Sequence, residues 1–139
     1  MYVPKYIYPD KKINPEAIAA FADPVNQTFL MVIREEIPDT EKDSVVIELE
    51  NYYTFAKSAI TDELENAILI KQNNLLINNE IAILAEIEGL YGGRKIYYCL
   101  AVIKTQNYFY QIIGWTKDEL KQTHGKALYN SCLSFTELL

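Results

Sequence analysis

"KIYYCLAVIKTQNYFYQIIGWT", Lys95 to Thr116, is the densest aromatic run in the chain, and its reading decides the fold. Read with a period of two, Ile96, Tyr98, Leu100 and Val102 point one way, and Tyr97, Cys99, Ala101 and Ile103 the other. After the polar turn "KTQN", Tyr108, Tyr110 and Ile112 oppose Phe109, Gln111, Ile113 and Trp115. Both faces of both segments are largely apolar. A strand with one wet side alternates apolar with polar; one that does not sits centrally, with a layer packed on each side of its sheet.

Upstream, "EIAILAEIEG" does alternate, with Ile81, Ile83, Ala85 and Ile87 on one face and Glu86 and Glu88 on the other. It reads as a strand with one dry side. "GLYGGRK" supplies glycines for a positive φ and closes a hairpin onto the aromatic run. "AILIKQNNLLINN" reads as a strand with a polar break at Gln72–Asn74 and a turn at Asn78–Asn79. Before it, Leu49, Tyr52, Tyr53, Ala56, Ala59, Ile60 and Leu64 recur at three- and four-residue steps, the pattern of an amphipathic helix of about five turns capped by Asp43 or Ser44. "TFLMVIREEI", Thr28 to Ile37, is β-branched and free of Gly and Pro, so it reads as a strand. All five prolines fall at or before Pro38, and residues 1–27 are expected to be irregular and loop-rich. Beyond Trp115, Leu120, His124, Ala127, Leu128, Cys132 and Phe135 are spaced for one helix face. Gly125 costs roughly 1 kcal/mol against Ala inside a helix, so a short turn at 117–122 and a main helix from Gly125 to Phe135 are expected.

The 139 residues form one domain, long enough for a core without staples. Half the residues are apolar and 23% charged, an ordinary globular balance. Thirteen Lys and Arg against nineteen Asp and Glu give a net charge of −6, and no basic cluster is longer than Lys11–Lys12. Nucleic acid is therefore rejected as a partner, since phosphates need clustered cations; an anionic membrane surface is rejected for the same reason. No apolar run reaches the ~18 residues of a transmembrane span. The opening "MYVPKYIYPDKK" has no apolar signal region, so the chain as written reads as cytoplasmic, or as exported if a signal or lipobox has been trimmed.

Catalytic constellations are hard to find. His124 is the only histidine and reads as structural or exposed. Glu86 and Glu88 share a face and could bind a hard cation, but a solvated strand face explains them better. Gly92-Gly93-Arg94-Lys95 joins strand to strand and lacks the phosphate-loop spacing. Ser131 and Ser134 have no nearby base. Cys99 and Cys132 are far apart in the chain with no CxxC pair and read as two small buried hydrophobes, bridged only if strand and helix bring their Cα atoms together. No metal and no cofactor is expected, and the residues argue against an enzyme. Of the eleven tyrosines, most belong to core packing. Tyr97, Phe109, Tyr110 and Trp115 are the candidate partner-binding residues, because such side chains join apolar area to a polar tip.

The order "LENYYTFAKSAI", then "NNEIAILAEIEGLYGGRKIYYCLAVIKTQNYFYQIIGWT", then a terminal helix ending "SCLSF" resembles the PsbP-like and DcrB-type superfamily over Leu49 to Phe135. The resemblance implies an α+β fold, an α/β/α sandwich in which a central antiparallel sheet is covered by helices on both sides. Its members include extrinsic photosystem proteins, a Ran-GTPase-binding nuclear transport factor and dimeric chaperones for secretion-system effectors, which are mostly non-catalytic. This chain lacks the long N-terminal segment and metal-associated histidines of the photosystem members, so calcium or manganese chemistry is not carried over. The expected role is a non-catalytic scaffold, adaptor or chaperone-like module holding a protein partner, with a homodimer as one arrangement. The alternative is a small-ligand binder or enzyme with a sheet–helix pocket lined by Trp115, Tyr110 and Glu86.

Overall fold

The computed structural model describes residues 1, 3–4, 8–9, 17–37 and 45–137. In chain order they form β1 (Tyr8–Pro9), β2 (Ala19–Asp23), β3 (Thr28–Glu36), α1 (Val45–Thr61), β4 (Glu65–Ile77), β5 (Glu80–Tyr91), β6 (Arg94–Lys104) and β7 (Tyr108–Lys117). A 3₁₀ turn (Asp118–Leu120) and a π turn (Lys121–Gly125) lead into α2 (Lys126–Leu133). The strands make one sheet in the order β1-β2-β3-β7-β6-β5-β4, every neighbouring pair antiparallel. The fold class is α+β, and the two halves of the aromatic run are adjacent strands inside the sheet.

The alternation in β6 and β7 divides their side chains between two cores. Leu100, Val102, Phe109 and Ile113 join Leu49, Tyr53, Ala56, Ile60 and Leu64 from α1 and its C-terminal exit. Tyr97, Cys99, Ala101, Ile103, Tyr110 and Ile112 join Leu128 and Cys132 of α2 and Phe135 just beyond it. The helical face read from the three- and four-residue steps is the buried one, Ala59 and the half-buried Tyr52 aside. The capping residues Asp43 and Ser44 lie outside the described residues.

Turn chemistry holds where the sequence is explicit. Asn78 and Asn79 take φ of 47° and 70° between Ile77 and Glu80, and Gly92 and Gly93 take 57° and 80° between Tyr91 and Arg94. Both are two-residue hairpins needing left-handed backbone at each central position.

Three expectations are corrected. Residues 19–23, expected within an irregular region, form β2 and pair in register with β3 from Ala19↔Val32 to Asp23↔Thr28. The proline count hid it, since Pro24 stands in the turn just after the strand, where no ladder donor is lost. The polar break at Gln72–Asn74 does not exist: these residues pair with Ala85, Leu84 and Ile83 within a 13-residue strand. On an edge strand polar side chains can face water while the backbone stays paired. Finally, β5 is dry on more than one side. Ala82 and Leu84 are as buried as Ile83 and Ala85, and Glu86 and Glu88 interrupt that second face beyond them.

Those two carboxylates have protein partners. Glu86 Oε1 accepts from the Tyr97 hydroxyl at 2.6 Å. Glu88 Oε1 accepts from Lys121 Nζ at 2.6 Å, and its Oε2 lies 3.4 Å from Lys95 Nζ. The Lys121 hydrogen bond holds the Glu88 carboxyl below its ordinary pKa against the opposing effect of burial, while Glu88 raises that of Lys121. A carboxyl depressed by folding adds stability that is present above its unfolded pKa and lost as pH falls through the folded one. The raised lysine adds stability present below its unfolded pKa and lost as pH climbs through the folded one. Glu88→Gln should therefore lower stability at neutral pH by about 1 kcal/mol. The gap between variant and parent should close in acid, below the ordinary carboxylate range, in thermal melts across pH. A gap that stays constant into acid would show that the pair contributes by packing and not by charge.

Candidate functional site

Two surfaces stand out among the described residues. The first is a groove beside α1. Register places Phe29 of β3, Trp115 of β7 and Tyr98 of β6 side by side on the face toward α1. Cross-strand neighbours on one face are about 5 Å apart, and the rings accordingly stack, with centroids 5.1 Å from Phe29 to Trp115 and 5.9 Å from Trp115 to Tyr98. A groove of ≈ 650 Å³ opens over this row, bounded by Pro24 and Gln27 of the β2–β3 turn, Glu63 after α1, and Tyr91 and Arg94 of the β5–β6 hairpin. A second hollow of ≈ 410 Å³ shares Glu63, Tyr98 and Trp115 and runs on toward Met31, Ile33 and the exposed Phe55. At the mouth, Arg94 donates to Gln27 Oε1 at 3.5 Å. Burial, reinforced by the charge of Glu63, pushes the Tyr98 phenol up to about 12, so it stays protonated at neutral pH. The groove offers apolar area with one acidic and one basic side chain at its edge. It brings no nucleophile together with a base.

The second surface is the β4 edge. Strand β4 is exposed along nearly its whole length, including Ile68, Leu69, Ile70 and Leu76. Its inner edge pairs with β5, interrupted by register shifts between Glu65 and Ile68 and between Leu69 and Lys71. Its outer edge pairs with no described strand.

The four candidate residues are not gathered in one place. Tyr97 is 1% exposed beneath the π turn, and Phe109 is buried against Tyr52 with ring centroids 4.3 Å apart. Tyr110 is buried and donates to Glu137 Oε2 at 2.6 Å; burial and that carboxylate raise its phenol to about 12. Trp115 alone is half-buried and lines the groove. The expected pocket of Trp115, Tyr110 and Glu86 is not assembled, because Trp115 joins the α1-side core and Tyr110 the α2-side core. Side chains of opposite parity cannot share a pocket across a continuous sheet. His124 Nδ1 lies 3.1 Å from Thr28 Oγ1, which also meets Thr116 Oγ1 at 2.8 Å. Among the described residues no group of three or more His, Cys, Asp or Glu is placed to hold a metal ion, and no helix is long and apolar enough to cross a membrane.

Sequence reasoning missed Phe29, Glu63 and Arg94 because the groove is made by register across three strands, which periodicity within one strand does not report. The β4 edge left a readable signal in "AILIK", an apolar run that no helical or alternating partner pattern accounts for.

Comparison with protein-family models finds no match, and comparison with curated protein sequences finds none. Solved structures do match. The solution structure of cyanobacterial PsbP (CyanoP) from Synechocystis superposes with a TM-score of 0.61 at 17% identity, over 95% of this chain and 81% of that one. The fold resembles that of the PsbP-like superfamily. LpqN, involved in cell envelope biogenesis of Mycobacterium tuberculosis, matches with a TM-score of 0.64 at 13% identity, over 91% of this chain and 75% of its own. PA94 of Pseudomonas aeruginosa, a protein of unknown function, matches with 0.60 at 14%, over 96% and 82%. At such identities the PsbP-like likeness is one of fold, and the role must be argued from surfaces.

Proposed function

We propose that this chain is a non-catalytic module that holds a protein partner by strand addition at β4, within an α/β/α sandwich of the PsbP-like kind whose two helical layers take no part in pairing. The carrying observation is the exposure of a 13-residue edge strand with Ile68, Leu69, Ile70 and Leu76 at its surface. Strands usually run about 5–6 residues, and long apolar edges are normally shortened, charged or covered. Here only Glu65 and Lys71 carry charge.

A second copy of the chain is the simplest partner. Antiparallel pairing of β4 with itself is two-fold and consumes the edge on both copies. Among the described residues the opposite sheet edge is the two-residue β1, too short to propagate a fibre. Although the chain carries −6 overall, β4 has one charge of each sign and is itself neutral.

Sedimentation of the full chain should show twice its 16.0 kDa. Ile68→Lys combined with Ile70→Lys should weaken association roughly 100-fold, the effect of withdrawing two apolar side chains from an interface. Both positions are exposed in the single chain, so the variant should fold. A monomer up to about 100 μM, a concentration at which interfaces of this kind are populated, would remove the second copy as partner. If crosslinked pull-downs then also recover no protein that the lysine variant fails to recover, the reading falls.

A small-ligand role rests on the other surface, the Phe29–Trp115–Tyr98 row beneath its groove. Trp115 is the only tryptophan, so its emission reports occupancy there directly.

A further inference from the structure

The sequence reads Cys99 and Cys132 as two small buried hydrophobes. Both are free thiols with 0% exposure, and their sulfurs lie 3.4 Å apart, one on β6 and the other on α2. Their surroundings, Tyr97, Ala101, Leu128 and Phe135 among them, are apolar. Packing alone asks only for small side chains here. It does not ask that two sulfurs from elements distant in the chain meet.

We propose that Cys99 and Cys132 form an oxidisable dithiol, a modification site at which a small-molecule disulfide such as oxidised glutathione staples α2 to the sheet. A disulfide bond is about 2.05 Å long, so the sulfurs close by about 1.4 Å. In the reaction one cysteine thiolate attacks a sulfur of the oxidant, making a mixed disulfide and releasing one thiol. The second cysteine then attacks the protein sulfur and expels the other half as a second thiol. The protein loses two electrons and two protons, the oxidant gains both, and one S–S bond replaces another.

The thiol–thiol hydrogen bond and complete burial hold Cys99 well above the ordinary thiol range, so the closed form is unreactive. Access must come from α2, because β6 is paired on both sides, with β5 and β7. Helix α2 has only eight residues, and the segment after it is held by side chains at the strand ends. Asn78 Nδ2 donates to the Phe135 carbonyl, and Thr105 and Tyr110 both donate to Glu137 Oε2. Release of that strap uncovers both sulfurs together. The pair thus reacts slowly when the fold is closed, and once bridged it keeps α2 from leaving.

The test is oxidation of the folded full chain with oxidised glutathione, followed by alkylation in denaturant and intact mass measurement. The expected product is about 2 Da lighter, has no alkylatable thiol, and reverts with dithiothreitol. Its Tm should exceed that of the reduced chain by roughly 10–15 °C, the effect of tethering a loop of this length in the unfolded state. Cys132→Ala should show neither change. Folded wild-type chain that keeps both thiols alkylatable, or that stops at glutathione adducts, would overturn the inference. So would a bridged product whose Tm equals that of the reduced chain.

Discussion

Ala101→Asp and Leu100→Asp should each destabilise the chain by about 4 kcal/mol or more at pH 7, because an unpaired carboxylate in a dry interior must either remain charged at great cost or take up a proton far above its ordinary pKa. Domains of this size are stable by only ~5–15 kcal/mol, so either variant should be partly or wholly unfolded near 37 °C. The information lies in the pair. The two residues are adjacent on β6, both are 0% exposed, and they belong to different cores, Leu100 to the one with α1 and Ala101 to the one with α2. A sheet with one wet face would tolerate one of the two substitutions. Circular-dichroism melts in which either variant stays within about 0.5 kcal/mol of the parent, the usual range for surface changes, would refute burial on both faces and the proposed sandwich with it.

Tyr97→Ala carries the second large effect. Tyr97 is the largest of the fully buried side chains among the described residues. Its ring lies so close under the π turn that a Cβ on Gly125 would sit 3.0 Å from two of its carbons. The Lys121 ammonium is 5.8 Å from the ring centroid, and the hydroxyl donates to Glu86 at 2.6 Å. Truncation removes the packing and undermines the turn that delivers α2, at about 3–5 kcal/mol. Tyr97→Phe keeps the ring and loses one hydrogen bond to a partly exposed carboxylate, at about 1 kcal/mol. Chemical denaturation of the two variants separates these contributions. Equal losses would mean that the hydroxyl, and not the ring, holds the turn in place.

Gly125 shows how the same residue reads differently at the two levels. In the sequence it weakens a helix, which implies a short turn followed by a main helix; the structure has a π turn ending at Gly125 and α2 beginning at Lys126. What the structure adds is why a glycine stands there: the backbone crosses the face of the Tyr97 ring, which arrives from a strand well upstream. Gly114 is similar, since a Cβ there would lie 3.0 Å from Leu128 Cβ. No local pattern announces either contact.

What the chain's own order of residues determined was a set of features with a short period. Alternation in β6 and β7, the 3.6-residue stripe of α1, and the Asn-Asn and Gly-Gly turns could be read directly, because each reports which way a side chain leaves the backbone relative to its near neighbours. Tertiary structure alone decided what depends on register between distant segments. It brought Phe29 beside Trp115, set sulfur against sulfur, added β2 to the sheet and left the outer edge of β4 unpaired with any described strand. Trp115 was legible as a candidate, whereas the row it belongs to was not. Tyr97 and Tyr110 read as candidates for recognition and are buried under α2 and the segment after it. The reason is physical: a residue's face follows from backbone geometry over a few bonds, but its exposure depends on which element, far along the chain, comes to rest on that face.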